Sequence, residues 1–155
     1  DIHKLAFSTV RRRLRRCNFF QSFPQRRPAY LTKLAKKYTS VEKKIVFFIE
    51  KNDAKLINYI KNQLPSAIFP ESMSEIASPP LVTALATRLE KTITIDNGTM
   101  HMISLAGTPM ITLFGPTDAK KFSPKRDNVK VLDSKELYKT NDISRISVED
   151  IFNFS

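Results

Sequence analysis

"TITIDNGTMHMISLAGTPMITLFGPT", Thr92 to Thr117, holds all three glycines of the chain: Gly98, Gly107 and Gly115. Glycine serves where the backbone takes φ > 0 or comes close to a ligand, so such a cluster between apolar runs points to built geometry. "TITI" and "PMITLF" are short runs rich in β-formers, and "TMHMISLA" between them has helical spacing. The stretch therefore predicts a strand, a glycine turn, a helix closed by Gly107, a second strand and a second rigid turn at Gly115-Pro116-Thr117.

The same alternation of periods extends outward on both sides. Upstream, Leu31, Leu34, Ala35 and Tyr38 follow Pro28 at helical spacing, which predicts a helix over 28–39. "KIVFFIE" is a nearly continuous apolar run and predicts a buried strand. Asn52 or Asp53 can cap a helix carrying Leu56, Ile57, Ile60 and Leu64. "AIF" at 67–69 predicts a short strand, 70–80 a loop, and Pro79 opens a helix with Leu81, Val82, Leu85 and Leu89. Downstream, "VKVL" at 129–132 predicts another strand. Ser147 with Asp150 three residues on is a capping-box signal for a last helix. Short strands alternating with helices mean βαβ units, an α/β parallel sheet and helices on both faces. Ligands of such sheets bind at the carboxyl ends of the strands.

Residues 1–27 do not share this pattern. "RRRLRR" and "FFQSFPQRR" show neither a clear period nor turn chemistry, and they read as a basic extension or a truncated element before a domain at 28–155. The charge is uneven in the same way. The chain of 155 residues carries +11, and nearly all of the excess lies in the first forty residues. No apolar run approaches the ~20 residues of a membrane span, and no signal peptide is evident. A lone Cys17 makes a reducing compartment the default. The chain opens at Asp1, not Met, and reads as a piece of something longer.

Three functional classes compete. The first rests on Asp96, Asn97, Gly98, Thr99 and His101, at the end of one strand and the start of a helix. Free N–H groups there converge on an anion, the Thr99 hydroxyl adds a donor, and the His101 imidazole reaches a phosphate or sugar oxygen. Asp-Asn-Gly is also a common turn, and a lone His on an apolar helix is often structural. The second turn, Gly115 to Thr117, adds a neighbouring strand end and turns the reading toward a pocket. The second class is a nucleic-acid or anionic-surface module built on Arg11 to Arg13, Arg15, Arg16, Arg26, Arg27, Lys33, Lys36 and Lys37 with Phe19, Phe20 and Phe23. Nucleic acid is the less favoured of those two surfaces, because basic terminal segments are commonly just solvated. The third is an inactive remnant. His3, His101 and Cys17 offer no ligand cluster, so no metal is expected.

Asp96-Asn97-Gly98-Thr99-Met100-His101, Gly107-Thr108-Pro109 and Leu113-Phe114-Gly115-Pro116-Thr117-Asp118 together resemble the signature of the heptosyltransferases, glycosyltransferase family 9. The resemblance implies a Rossmann-like domain similar to the C-terminal, donor-binding half of a GT-B enzyme. It implies transfer of a sugar from an ADP-activated donor to a lipopolysaccharide-type acceptor, in the cytoplasm at the inner membrane face, with no cofactor beyond that nucleotide sugar. Asp96 to His101, Met100 included, would then hold the donor's diphosphate and sugar, with Gly115 and Thr117 beside them. Met73 falls at a nucleotide-contacting loop position, and Asp53 at an acidic ribose-contacting one. Asn97 departs from the family's Ser or Thr, though its amide still donates to phosphate. The catalytic base is not identified in this chain, since in the family it belongs to an N-terminal acceptor domain. The basic donor-binding residue has a candidate counterpart only in Arg26 or Arg27.

Overall fold

A computed structural model describes residues 17–21, 28–39, 44–49, 52–73, 79–96 and 98–154. Five strands, β1 (Cys17–Gln21), β2 (Lys44–Phe48), β3 (Lys91–Ile95), β4 (Met110–Phe114) and β5 (Val129–Asp133), form one sheet in the order β2-β1-β3-β4-β5. Every pairing is parallel. The helices are α1 (Pro28–Tyr38), α2 (Ala54–Gln63), α3 (Pro70–Met73), α4 (Pro79–Ala86), α5 (Gly98–Ser104), α6 (Ala119–Phe122), α7 (Ser134–Tyr138) and α8 (Val148–Phe154), with a 3₁₀ turn at Ile143–Arg145.

Side chains alternate across the sheet with the period of two that a strand imposes. Ile45, Phe47 and Ile49 of the β2 segment, Ile93, Ile111, Leu113 and Leu132 face one layer, where Leu31, Leu34 and Ala35 of α1, Ile57 and Ile60 of α2 and Ile151 of α8 cover them. Val46, Phe48, Met110 and Phe114 face the other, against Leu85 and Ala86 of α4 and Met100 and Ile103 of α5. Both faces are buried, which is why the strands read as continuous apolar runs. Thr94 and Thr112, register partners, are fully buried and share a hydrogen bond of 3.3 Å between their hydroxyls.

Several sequence expectations stand in the structure. The helix at Pro28, the strands "KIVFF", "TITI" and "MITLF", the Asp53 cap on α2 and the Ser147–Asp150 box on α8 all form. In that box the Ser147 amide donates to Asp150 Oδ2 at 2.7 Å, and the Asp150 amide donates to Ser147 Oγ at 3.0 Å. The Tyr138 hydroxyl adds a third bond to Asp150 Oδ2, at 2.6 Å. Burial pushes the Asp150 carboxyl up. The Tyr138 and Ser147 hydrogen bonds outweigh it and hold the group below its ordinary value.

Other elements differ. Five residues of the stretch read as a basic extension or a truncated element, Cys17–Gln21, form β1, between β2 and β3. The arginines on either side of it lie outside the described residues. The expected loop at 70–80 begins with a turn of helix, α3, for which Pro70 is a natural first residue. "AIF" contributes a single bridge, Ile68 to Val46, closed by Phe47 N to Ile68 O at 2.8 Å and Ile68 N to Ile45 O at 2.9 Å. Beyond Thr117, α6, α7 and the 3₁₀ turn were not foreseen. Each starts at an aspartate whose carboxylate accepts from amides of the first turn: Asp118 from Lys120 and Lys121, Asp133 from Lys135, Asp142 from Ser144. That capping residue was the signal available in the sequence.

Candidate functional site

Parallel pairing puts the carboxyl ends of all five strands on one edge. Counting the Ile68 bridge as a sixth position, the order across the sheet is Ile68-β2-β1-β3-β4-β5. In chain order that is 3-2-1-4-5-6, the doubly wound arrangement whose ligand crevice lies where the order reverses. Here the reversal is between β1 and β3, so Asp96, the residue after β3, stands beside the crevice.

β3 and β4 are neighbours with Ile95 opposite Leu113, so the segments leaving them emerge side by side. From β3 come Asp96, half-buried, then Gly98, exposed, and Thr99, half-buried, at the start of α5. From β4 come Gly115, buried, and Pro116 and Thr117, both exposed. First-turn amides of a helix have no partner within it, and those of α5 lie at this edge. His101 is exposed on the same helix, and its carbonyl accepts from Ser104 Oγ at 2.7 Å. Asn97 lies outside the described residues.

The glycines differ in why they are glycine. A Cβ at Gly98 would meet nothing within 4 Å, leaving the backbone open to an approaching group. Gly107 ends α5 in the left-handed region at φ +74°, where a Cβ is strained. At Gly115 a Cβ would fall 2.7 Å from Ile143 Cβ, 2.8 Å from Asn141 O and 2.9 Å from Ile143 N. Gly115 therefore makes room for the chain's own 141–143 segment.

Met100, grouped with the donor-binding residues, has its side chain fully buried in the core beneath α5, so only its backbone faces the edge. Asp53 is the N-cap of α2, accepting from the Leu56 amide at 3.2 Å. Met73 closes α3 and is 73% exposed. Asp53 follows β2, two strand spacings, about 10 Å, from β3, and Met73 follows the Ile68 bridge, three spacings, about 14 Å, from it. Arg26 and Arg27 lie outside the described residues.

One group escaped the sequence reading. Lys135, in the first turn of α7 after β5, reaches across to the neighbouring strand end, where Nζ donates to the Thr117 carbonyl at 2.6 Å. Nothing local in the sequence signals that reach, because it depends on β5 pairing with β4. Among the described residues no group of three His, Cys, Asp or Glu side chains could hold a metal ion, and no helix is long and apolar enough to cross a membrane.

Residues 28–151 match the family model of glycosyltransferase family 9 (heptosyltransferase). A comparison with curated proteins gives no match. The fold is similar to that of the glycosyl transferase family 9 protein from Veillonella parvula DSM 2008, with TM-score 0.69 and 21% identity over 88% of this chain and 44% of that one. It is similar to E. coli heptosyltransferase WaaC with ADP, with TM-score 0.75 and 14% identity over 92% and 44%. It is also similar to E. coli ADP-heptose lps heptosyltransferase II, with TM-score 0.69 and 16% identity over 90% and 45%. At these identities the likeness is one of fold, and the chain spans less than half the length of each of those proteins.

Proposed function

Because the family pattern covers residues 28–151, the chain belongs to glycosyltransferase family 9, the heptosyltransferases. From that premise we propose that it is the donor-binding half of such an enzyme. In this reading the donor is an ADP-activated sugar and the acceptor a lipopolysaccharide-type hydroxyl at the inner membrane face. The base that deprotonates the acceptor is supplied by an N-terminal acceptor domain. The nucleotide sugar is the only small molecule required, and the setting is cytoplasmic.

The observation that carries the reading is the pairing of β3 with β4, which sets Asp96, Gly98 and Thr99 beside Gly115 to Thr117, next to the switch point between β1 and β3. The diphosphate lies against Gly98 and the first amides of α5, the Thr99 hydroxyl and the His101 imidazole donate to its oxygens, and Asp96 and Asn97 meet the sugar. Thr117 closes the side next to β4. Asp53 keeps one carboxylate oxygen on its helix cap and offers the other to a ribose hydroxyl, while exposed Met73 lies against the base. The ADP found with WaaC, a protein of the same fold, supports the choice of nucleotide.

Isothermal titration of ADP, UDP and GDP against the full chain, its Gly98→Val and its His101→Ala variants tests this. ADP should bind tightest, Gly98→Val should abolish binding while the far-UV spectrum is unchanged, and His101→Ala should weaken it about tenfold, the worth of one charge-assisted bond. Undetectable ADP binding together with salt-steep binding of single-stranded RNA would replace this reading with the nucleic-acid one.

A further inference from the structure

The sheet face layered by α1 and α8 carries lysines and aromatic rings that the donor edge does not use. The two helices run alongside each other in the same direction. Near their starts the Tyr30 hydroxyl donates to the Ile146 carbonyl at 2.9 Å, and near their ends the Tyr38 and Phe152 rings meet edge to face, centroids 5.5 Å apart. Those ends lie at the amino edge of the sheet, because Lys91, the first residue of β3, holds its ammonium 5.7 Å from the Tyr38 ring centroid. By the strand period of two, Lys91 and Lys130 share this face with Ile93 and Leu132, which belong to the core beneath α1 and α8.

Three rings here each carry an ammonium: Tyr38 that of Lys91, Phe152 that of Lys37 at 5.4 Å, and Phe154 that of Lys130 at 5.7 Å. Phe152 is 43% exposed and Phe154 39%. Lys33 and Lys36, both exposed, extend the charge along α1. Lys36 Nζ donates to Gln63 Oε1 at 3.4 Å. Of the acids nearby, Glu149 lies 3.7 Å from Lys33 and 3.6 Å from Lys37, and Asp150 is turned into its capping box. Even with Glu90 and Asp127, which precede β3 and β5, the lysines outnumber the carboxylates. Cys17, the first residue of β1, stands at the same edge, and Arg15 and Arg16 directly precede it in sequence.

Half-exposed rings topped by cations suit a boundary that is apolar beneath and anionic above. Aromatic rings settle at the level of lipid headgroups, and lysine stems lie along apolar surface while their ammoniums reach phosphate. A second copy of this face would bring like charges together. Nucleic acid stacks its bases on ring faces, and one face of each of these rings is already covered by an ammonium.

We propose that the amino-edge end of the α1 and α8 face is a docking surface for an anionic lipid bilayer. Phe152 and Phe154 enter the headgroup layer, and Lys37, Lys91 and Lys130 pair with lipid phosphates. The surface lies at the opposite sheet edge from Gly98 and Gly115, so it works without touching the donor site.

The experiment is flotation of the unmodified 155-residue chain and two double variants with vesicles, at low and high salt, with a thermal midpoint for each protein. The variants are Phe152→Ser with Phe154→Ser, and Lys37→Gln with Lys130→Gln; the vesicles are phosphatidylcholine alone or mixed with phosphatidylglycerol. The expected result is binding to the mixed vesicles only, weakened by salt and reduced about tenfold in each variant. The lysine pair alters exposed side chains, so its thermal midpoint should match the parent and it carries the test if the serine pair does not fold. Undiminished binding by the lysine pair would overturn the proposal, since the N-terminal arginines would then suffice. Equal binding to phosphatidylcholine alone would overturn it as apolar adsorption, and so would failure of the unmodified chain to float with mixed vesicles. Single-stranded RNA bound more tightly than the mixed vesicles, and weakened by the same lysine changes, would reassign the face to nucleic acid.

Discussion

Alanine at Gly115 is the sharpest test of how the donor edge is built. The added methyl would sit 2.7 Å from Ile143 Cβ, 2.8 Å from Asn141 O and 2.9 Å from Ile143 N. Two of those three atoms are backbone, and the third is the root of a side chain, so no rotamer change relieves the contact. Overpacking a filled site costs about 1–3 kcal/mol, and here the upper half of that range applies because the 141–143 segment must move as a whole. Urea unfolding should show a lower midpoint with an unchanged slope. The other two glycines calibrate the result. Gly107→Ala keeps a left-handed residue, φ +74°, and should cost about 1–2 kcal/mol from backbone strain. Gly98→Ala meets no atom within 4 Å and should lie within about 0.5 kcal/mol of the parent. The order Gly115, Gly107, Gly98 from most to least damaging is the prediction. A Gly115→Ala protein as stable as Gly98→Ala would refute the packing argument.

Asp53→Ala should lower stability by about 1 kcal/mol by uncapping α2, whereas Asp53→Asn should keep the cap; calorimetry of the pair distinguishes the two roles of that carboxylate. Removing the hydroxyl of Thr94 alone, as Thr94→Val, orphans its buried partner on Thr112 and should cost about 1–2 kcal/mol, with the double valine variant costing less than twice the single in a double-mutant cycle. The depressed Asp150 carboxyl contributes stability that is complete above its ordinary pKa and lost as pH falls through the lower value it has in the fold. Tyr138→Phe removes one of the bonds holding it down, so the acid-unfolding midpoint should move to higher pH; a midpoint that stays put would show the Tyr138 contact to be incidental.

The helix and strand order from Pro28 to Phe114, the short α3 aside, was legible because each element buries a face and must show its own period. β1 was not. "CNFFQ" is five residues long and sits among arginines, too short for periodicity to separate a strand from anything else. Its place in the sheet comes from partners at Lys44–Phe48 and Lys91–Ile93, remote in sequence. The donor edge was partly legible. The sequence placed Asp96 and Gly115 at strand ends, and pairing of β3 with β4 set them side by side. What local reading cannot see is direction. Met100 lies in the same hexapeptide as Thr99 and His101, yet the turn of α5 sends its side chain into the core. Lys135 escaped for the converse reason, because its contact with Thr117 spans eighteen residues of sequence.

β1 is the seam of the molecule. To its one side lie β2 and the Ile68 bridge, to its other β3, β4 and β5, and the sheet hydrogen bonds between the two sides run through it. Cutting the chain at Pro28 would thus not trim a tail. It would leave two slabs with raw facing borders, each an open template for a strand from another molecule, and the fragment should melt in separate steps or aggregate instead of unfolding as one body.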